Sequence, residues 1–575
     1  MKLFFKLQLL SVVALVLIAG VFVSSCNKAD APANEEQKKM EERFEKFKTD
    51  YLTAVKPILI KMNTAYFDAS INSTDEKWKE VTNNEKLYND YVSNKERFAE
   101  LKQIYDSKLI SDPDKARELK IYYNEFSAKQ VDTAKLNKLS EMTTNLEGKY
   151  SKFRAKFGAK TYTDNDVENT LKNSTNSKEL EGVWTAHKEI GPIVAADIIA
   201  LVKLRNEVAK DLGYKNYHEM SLILSDQNPA DVMKLFDELD ALTKDAFSKL
   251  KGEMDITLAK RLKITPEQLM PWHYQNRYFQ EAPQIYDIDI DKFYKGKDIV
   301  KLTVDYYKGL NLPIDKLVAN SDLYEKEGKN QHAYCITIDK DAPDIRVLCN
   351  VTDNSKWMET MLHEYGHALY DNYYTKDYPW AFKAPAHIFT TEAIAMLFGR
   401  FANNADWMKA MLGLDDKTTT EIKDVAQKTL RLQQLVFSRW SQVMFRFESA
   451  MYDNPDQDLN KLWWDLVEKY QMIKRPANRN MPDWATKIHI ATSPCYYHNY
   501  HLGELLASQL YFTIADKVLG KPNDMTLSFI NEPKVGEYLI KNVFSVGAKY
   551  YWNDMIEKAT GEKLTAKYYA KQFVD

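Results

Sequence analysis

Two histidines four positions apart, with a glutamate directly after the first, stand in the stretch TMLHEYGHALYDN at 360–372. On an α-helix His363 and His367 lie one turn apart on one face, so both imidazoles can reach a single ion. Glu364 is rotated off that line and can take a proton from water at the ion instead of binding it. Two imidazoles leave a tetrahedral zinc short of one protein ligand, because a hydrolytic site keeps its last position for water. Glu392, in TTEAIAM, is the nearest good candidate. It comes 25 residues after His367, room for a loop and a returning helix. Many other glutamates follow at comparable distances, so spacing alone does not single it out. The chemistry implied is hydrolysis with one Zn2+ per chain.

Such a helix has to be held against others. Glycine accounts for 18 of 575 residues, well under the roughly 7% of average proteins. Few glycines, with Lys, Glu, Leu and Ala at helical spacing, predict a mainly α-helical protein. From about 40 to 260, segments such as EERFEKFKTDYLTAVKPILIKM and AADIIALVKLRNEVAKDLGY place apolar residues three or four apart. The clearest strand pair is QHAYCITIDKDAPDIRVLCNV, 331–351, folded about an Asp-Ala-Pro-Asp turn. The motif helix starts after Asn354-Ser355, and another begins near TTEAIAMLFGRF. No convincing linker interrupts 40–575. The fold class expected is therefore all-α in the main: one large helical domain in two lobes around a deep cleft, with a small β-hairpin beside the zinc helix.

Composition excludes some partners. Lys plus Arg at 79 against Asp plus Glu at 82 gives a net charge of -3, and no basic block stands out, so nucleic acid is not expected. Residues 1–25 have Lys2 and Lys6, an apolar run to Val23, then Ser24-Ser25-Cys26, the pattern of a signal peptide. The ending Val-Ser-Ser-Cys is similar to a bacterial lipobox, in which the cysteine is lipidated after cleavage. Residues 26–39 then read as a lipidated Cys26 and a polar, flexible tether. The protein is expected to be exported and lipid-anchored to a bacterial membrane, with Asn27 after the cysteine favouring the outer membrane facing the periplasm. An oxidising compartment would allow a disulfide, and Cys335 and Cys349, flanking the hairpin turn, could pair.

Further motifs follow in order. After MLHEYGHALY and TEAIA come LWWDLVEKYQ, DWATKIHI and YHNY. Together these resemble the peptidyl-dipeptidase family related to angiotensin-converting enzyme, zinc metallopeptidases of the HExxH class, with the order of motifs more specific than any one of them. The resemblance covers about 330–510 well. It implies His363, His367 and Glu392 as zinc ligands and Glu364 as general base. It implies that His489 hydrogen-bonds substrate backbone and steadies the tetrahedral intermediate, that Lys487 with Tyr497 holds the peptide's C-terminal carboxylate, and that Tyr500 donates to the oxyanion. Tyr496 is the alternative member of the tyrosine pair if the loop carries no insertion. His332 and Ala333 would lie on a strand pairing with an extended peptide, and Gln275 would assist at the carboxylate.

Several positions depart from the family pattern. An aspartate that supports a zinc histidine is replaced by Met396, so some other group must do that work. Asn499 and Val467 stand where animal members carry chloride-binding arginines, so chloride activation is not expected. The function implied is release of C-terminal dipeptides from peptide substrates. The alternatives are a thimet-type oligopeptidase or zinc carboxypeptidase of related fold and, from another class, a lipid-anchored peptide-binding protein without activity. Oligomeric state is not legible in the sequence.

Overall fold

The structure is a computed structural model and describes residues 30–574 apart from 287, with side chains from 35 onward. The expected signal peptide and Cys26 lie outside the described residues. Helices dominate, and among the described residues there are two small antiparallel sheets, each a single hairpin. No helix among these residues is long and apolar enough to cross a membrane.

The first helices, α1 (Asp30–Ile71), α2 (Asp75–Val92), α3 (Lys95–Ser107) and α4 (Pro113–Ser127), form a group with its own apolar cluster around Phe44, Tyr51, Tyr122 and Phe126. Residues 30–39, expected as tether, are instead the opening turns of α1. Glu35, Glu36, Gln37 and Lys38 are good helix formers, and Gln37 donates to Glu41 (3.0 Å) and to Ser111 of the loop before α4 (2.6 Å). The group is tied to the rest of the chain by Arg117–Asp226 (2.6 Å), Lys549–Asp114 (2.7 Å) and Lys56–Asp341 (2.5 Å).

A far larger apolar cluster runs from Leu146 to Phe573 and contains the motif helix. Its outlying hairpin, β1 (Ala155–Phe157) and β2 (Lys160–Tyr162), is remote from the motif in sequence. The second hairpin, β3 (Tyr334–Asp339) and β4 (Asp344–Leu348), packs against the motif helix, where Thr337 donates to Asp371. Its register overturns the expected disulfide. Cys335 lies opposite Val347, while Cys349 falls past the end of β4 and its N–H is committed to the carbonyl of Asp322 at 2.9 Å. Both cysteines are free thiols. His332 and Ala333 also fall outside the strand, which begins at Tyr334; the His332 N–H turns back to the side chain of Asn330 at 2.9 Å.

The motif helix α5 (Ser355–Asn372) is capped by Asn354, whose side chain accepts from the Trp357 N–H at 2.9 Å. It crosses α6 (Ile388–Gly399) closely because of Gly366. A Cβ there would lie 2.9 Å from the Cα of Ala395, nearer than such atoms approach. On the other side of α6, α8 (His498–Thr513) comes equally close through Gly503, whose Cβ would meet Glu392 Cβ at 3.2 Å and Met396 Sδ at 3.1 Å. The long α7 (Asp416–Asp453) packs against α8 and presents Trp440 to Tyr497. Thus α6 is sandwiched, and its Glu392 is fixed between the motif helix and α8.

Candidate active site

Two glycine-mediated crossings bring His363, His367 and Glu392 together. His363 Nε2 is 3.2 Å from His367 Nε2, and Glu392 Oε2 is 3.6 Å from the first and 3.8 Å from the second. An ion about 2.0–2.2 Å from each of three tetrahedral donors requires those donors about 3.3–3.6 Å apart. The spacing therefore fits zinc, and the donor set of two imidazoles and one carboxylate suits it as well.

Electrostatics point the same way. Burial lowers His363 to about 4 and His367 well below its ordinary value, so both rings are neutral, the form that binds a metal. Burial, reinforced by Glu504, lifts Glu392 to about 7, and burial with Glu392 nearby lifts Glu364 to about 8. These are carboxylates gathered in a low-dielectric place without a compensating cation, and a divalent ion would reverse both shifts. Glu364 is 8% exposed, directly after the first ligand on the same helix.

What holds the ligands was not legible in sequence. His367 Nδ1 lies 2.7 Å from Oγ1 of Thr391, the residue before Glu392. A histidine binding through Nε2 keeps its proton on Nδ1, so Thr391 accepts that bond and fixes the ring. Met396 instead fills the contact between α6 and α8. The signal for Thr391 was its place beside the third ligand, but nothing in spacing distinguishes it from Thr390.

A second cluster surrounds Lys487, at the junction of a tight turn (Asp483–Thr486) and a short helix (Ile488–Thr492). Its Nζ donates to Gln280 Oε1 at 2.5 Å and lies 5.1 to 5.5 Å from the ring centres of Tyr278, Trp440 and Tyr497. No carboxylate pairs with it among the described residues, and burial lowers the ammonium to about 8, with Arg277 adding to the effect. Tyr497 accepts from Trp440 Nε1 at 2.8 Å, leaving its own hydroxyl proton to donate. His489 lies 5.4 Å from the Tyr497 ring, with a buried Nδ1 that has no partner and a pKa brought down to about 4 by burial.

Gln275 is not in this cluster. Its backbone is left-handed (φ 59°) and its Oε1 accepts from the Gln284 N–H at 2.8 Å. Gln280 takes the place beside Lys487. The two clusters are joined by aromatic rings: Tyr497 lies 5.4 Å from Tyr500, and Tyr500 feels the charge of Glu392, which with burial raises its phenol. Tyr496 packs 5.2 Å from Tyr500, and burial with the charge of Glu392 raises its phenol as well.

Compared with known proteins, residues 38–573 match the sequence profile of the peptidase family described as angiotensin-converting enzyme. Similar curated proteins include the angiotensin-converting enzyme of Rattus norvegicus, 21% identical over 425 residues, which is 69% of this chain and 32% of that protein. That of Theromyzon tessulatum is 22% identical over 435 residues, 70% of each chain. The chain thus spans about a third of the length of the rat relative.

Proposed function

This chain belongs to the angiotensin-converting enzyme family of peptidases, and on that premise we propose that it is a zinc-dependent peptidyl-dipeptidase, releasing two residues from the C-terminus of peptides. Zinc held by His363, His367 and Glu392 would supply a Lewis acid that makes water acidic and polarises the scissile carbonyl. Glu364 takes the proton from attacking water and delivers it to the leaving amine. The Tyr500 hydroxyl donates to the oxygen that gains charge in the transition state, where a preplaced donor counts most. His489 supports the same region through the substrate backbone.

The single observation carrying the dipeptide reading is the unpaired Lys487 ammonium, held by Gln280 and ringed by aromatic faces. A buried cation without an anion is costly unless a ligand provides one, and a peptide's terminal carboxylate is the natural candidate. The rings of Tyr497 and Tyr500 link this anchor to the metal triad, so the distance between them would set how many residues lie beyond the cut.

The test compares a blocked tripeptide bearing a free C-terminus with its C-terminal amide, beside a Glu364→Gln control and a metal assay. One zinc per chain with dipeptide released from the free acid alone supports the reading. Equal cleavage of acid and amide would make the protein an oligopeptidase. Bound zinc with no cleavage, matching the control, would leave a peptide-binding protein. Export with lipid attachment at Cys26 is proposed alongside. A Cys26→Ser protein found in the membrane fraction as fully as wild type would refute that.

A further inference from the structure

Glu359 lies one turn before His363 on α5, on the same face. A Cβ at Gly399 would touch both, 3.5 Å from Glu359 Cγ and 3.7 Å from His363 Cβ. Its side chain is solvent-accessible and opens into a cavity of about 580 Å³. Gln275 and Glu281 line the same cavity, and Glu281 directly follows Gln280, the residue that holds Lys487. The triad and Lys487 do not line the cavity themselves; it reaches toward them through Glu359, one turn from His363, and through Glu281, next to Gln280.

The lining has a distinct charge. Asp289 and Asp291 are occupied, accepting from the Lys292 N–H (3.4 Å) and from the N–H of Ser355 (2.9 Å). Lys172 and Lys356 also line it, yet neither is within ion-pair distance of Glu359 or Glu281 among the described residues. Glu359 accepts one long bond, from Asn403 Nδ2 at 3.3 Å, while Glu281 accepts none among the described residues and its charge is felt at Lys487. Gln275 Nε2 is buried there without a partner.

We infer that this recess selects substrates with a cationic side chain, Lys or Arg, at one of the two residues released, with Glu359 as the determinant and Glu281 as its support. The inference rests on the proposed peptidase reading and narrows its substrate class. A long aliphatic stem suits the cavity's Ile285, Tyr286 and Leu430, while the ammonium or guanidinium meets the free carboxylate. A glutamate in the same place would face Glu359 directly.

The test uses the zinc-loaded full chain and two peptide sets, with Lys, Met or Glu at the penultimate or at the last position. Wild type is expected to favour Lys over Glu by roughly tenfold or more in kcat/KM at one position. Glu359→Gln should compress that ratio to within about threefold, and Glu359→Lys should invert it. Equilibrium binding of the same peptides to the Glu364→Gln protein supplies a readout that does not need turnover. If wild type cleaves nothing, the peptidase reading falls, and the binding ratios still decide the recess. Equal handling of Lys, Met and Glu at both positions, or a Lys preference that survives in Glu359→Gln, overturns the inference.

Discussion

The metal triad and the Lys487 pocket are assembled in opposite ways. Two of the three donors of the triad come from one helical turn, and the third sits on the next helix, brought close by Gly366 against Ala395. The pocket draws Gln280 from an irregular loop, Lys487 from a turn, Trp440 from α7 and Tyr497 from the start of α8. The triad is therefore held by helix packing, in a spacing that suits zinc. The pocket depends on bonds between loops, such as Tyr278 Oη to the Thr486 carbonyl and Gln471 Nε2 to the Tyr278 carbonyl. Damage to the first should abolish chemistry outright, and damage to the second should change which peptides are processed.

Glu364→Gln tests the first half and should have the largest effect. It removes the base but not a ligand, so bound zinc should stay near one per chain while kcat falls by about 10²- to 10⁴-fold. A metal assay beside single-turnover kinetics checks both. Loss of zinc together with activity would mean that Glu364 has a place in the ligand set and not beside it.

Lys487→Ala tests the second half. It should lower kcat/KM for free-acid peptides by about 10²- to 10³-fold, from loss of a desolvated charge pair. The C-terminal amide should change little. The same contrast has a pH form. Burial depresses the ammonium to about 8, so the cation is complete below that value and is lost as pH rises through it. For the free acid, kcat/KM should fall about tenfold per pH unit above about 8, while the amide profile lacks that limb. A shared limb would place the titration elsewhere.

Thr391→Val should be milder. It deletes the acceptor for His367 while keeping shape, and should weaken zinc by about ten- to a hundredfold in a competition assay with a chelator. Met396→Asp in that background offers a carboxylate from the next turn of α6, and recovery of affinity would show that the two positions serve one purpose. If Thr391→Val leaves zinc affinity unchanged, the triad is positioned by helix packing alone.

This contrast also explains what was legible in the sequence. His363, His367 and Glu364 obey helical spacing, and Asn354 is a cap by residue type, so α5 and its chemistry could be read locally. The hairpin was legible as strands, but its register was not. An irregularity between Thr337 and Asp339, and the bond from Cys349 to Asp322, carry the two cysteines out of alignment. Composition suggested a tether within 26–39, yet Gln37 finds Ser111 some seventy residues on, a contact set by tertiary packing. Thr391 was hidden because its role depends on how α5 and α6 cross. The large apolar core and low glycine count made the mainly helical class plain; which loop meets which helix was not.

Gln280 and Gln275 make the smallest and sharpest test, since they are five residues apart in one loop. Gln275 and Phe279 both have left-handed backbone, φ 59° and 52°, so no helical or strand period relates position 275 to position 280. Reading by spacing therefore had no footing there. Gln280 bonds the Lys487 ammonium, and Gln280→Ala should raise KM for free-acid peptides by about tenfold, the usual cost of one hydrogen bond to a charged group. Gln275→Ala should stay within about twofold for the same peptides, because its Oε1 serves the Gln284 N–H within the loop. Reversal of that order would return the anchor to Gln275, and would mean that the loop rearranges when peptide binds. Equal, small effects would mean that Lys487 needs no partner of its own, with the aromatic faces of Tyr278, Trp440 and Tyr497 sufficient to hold the cation in place.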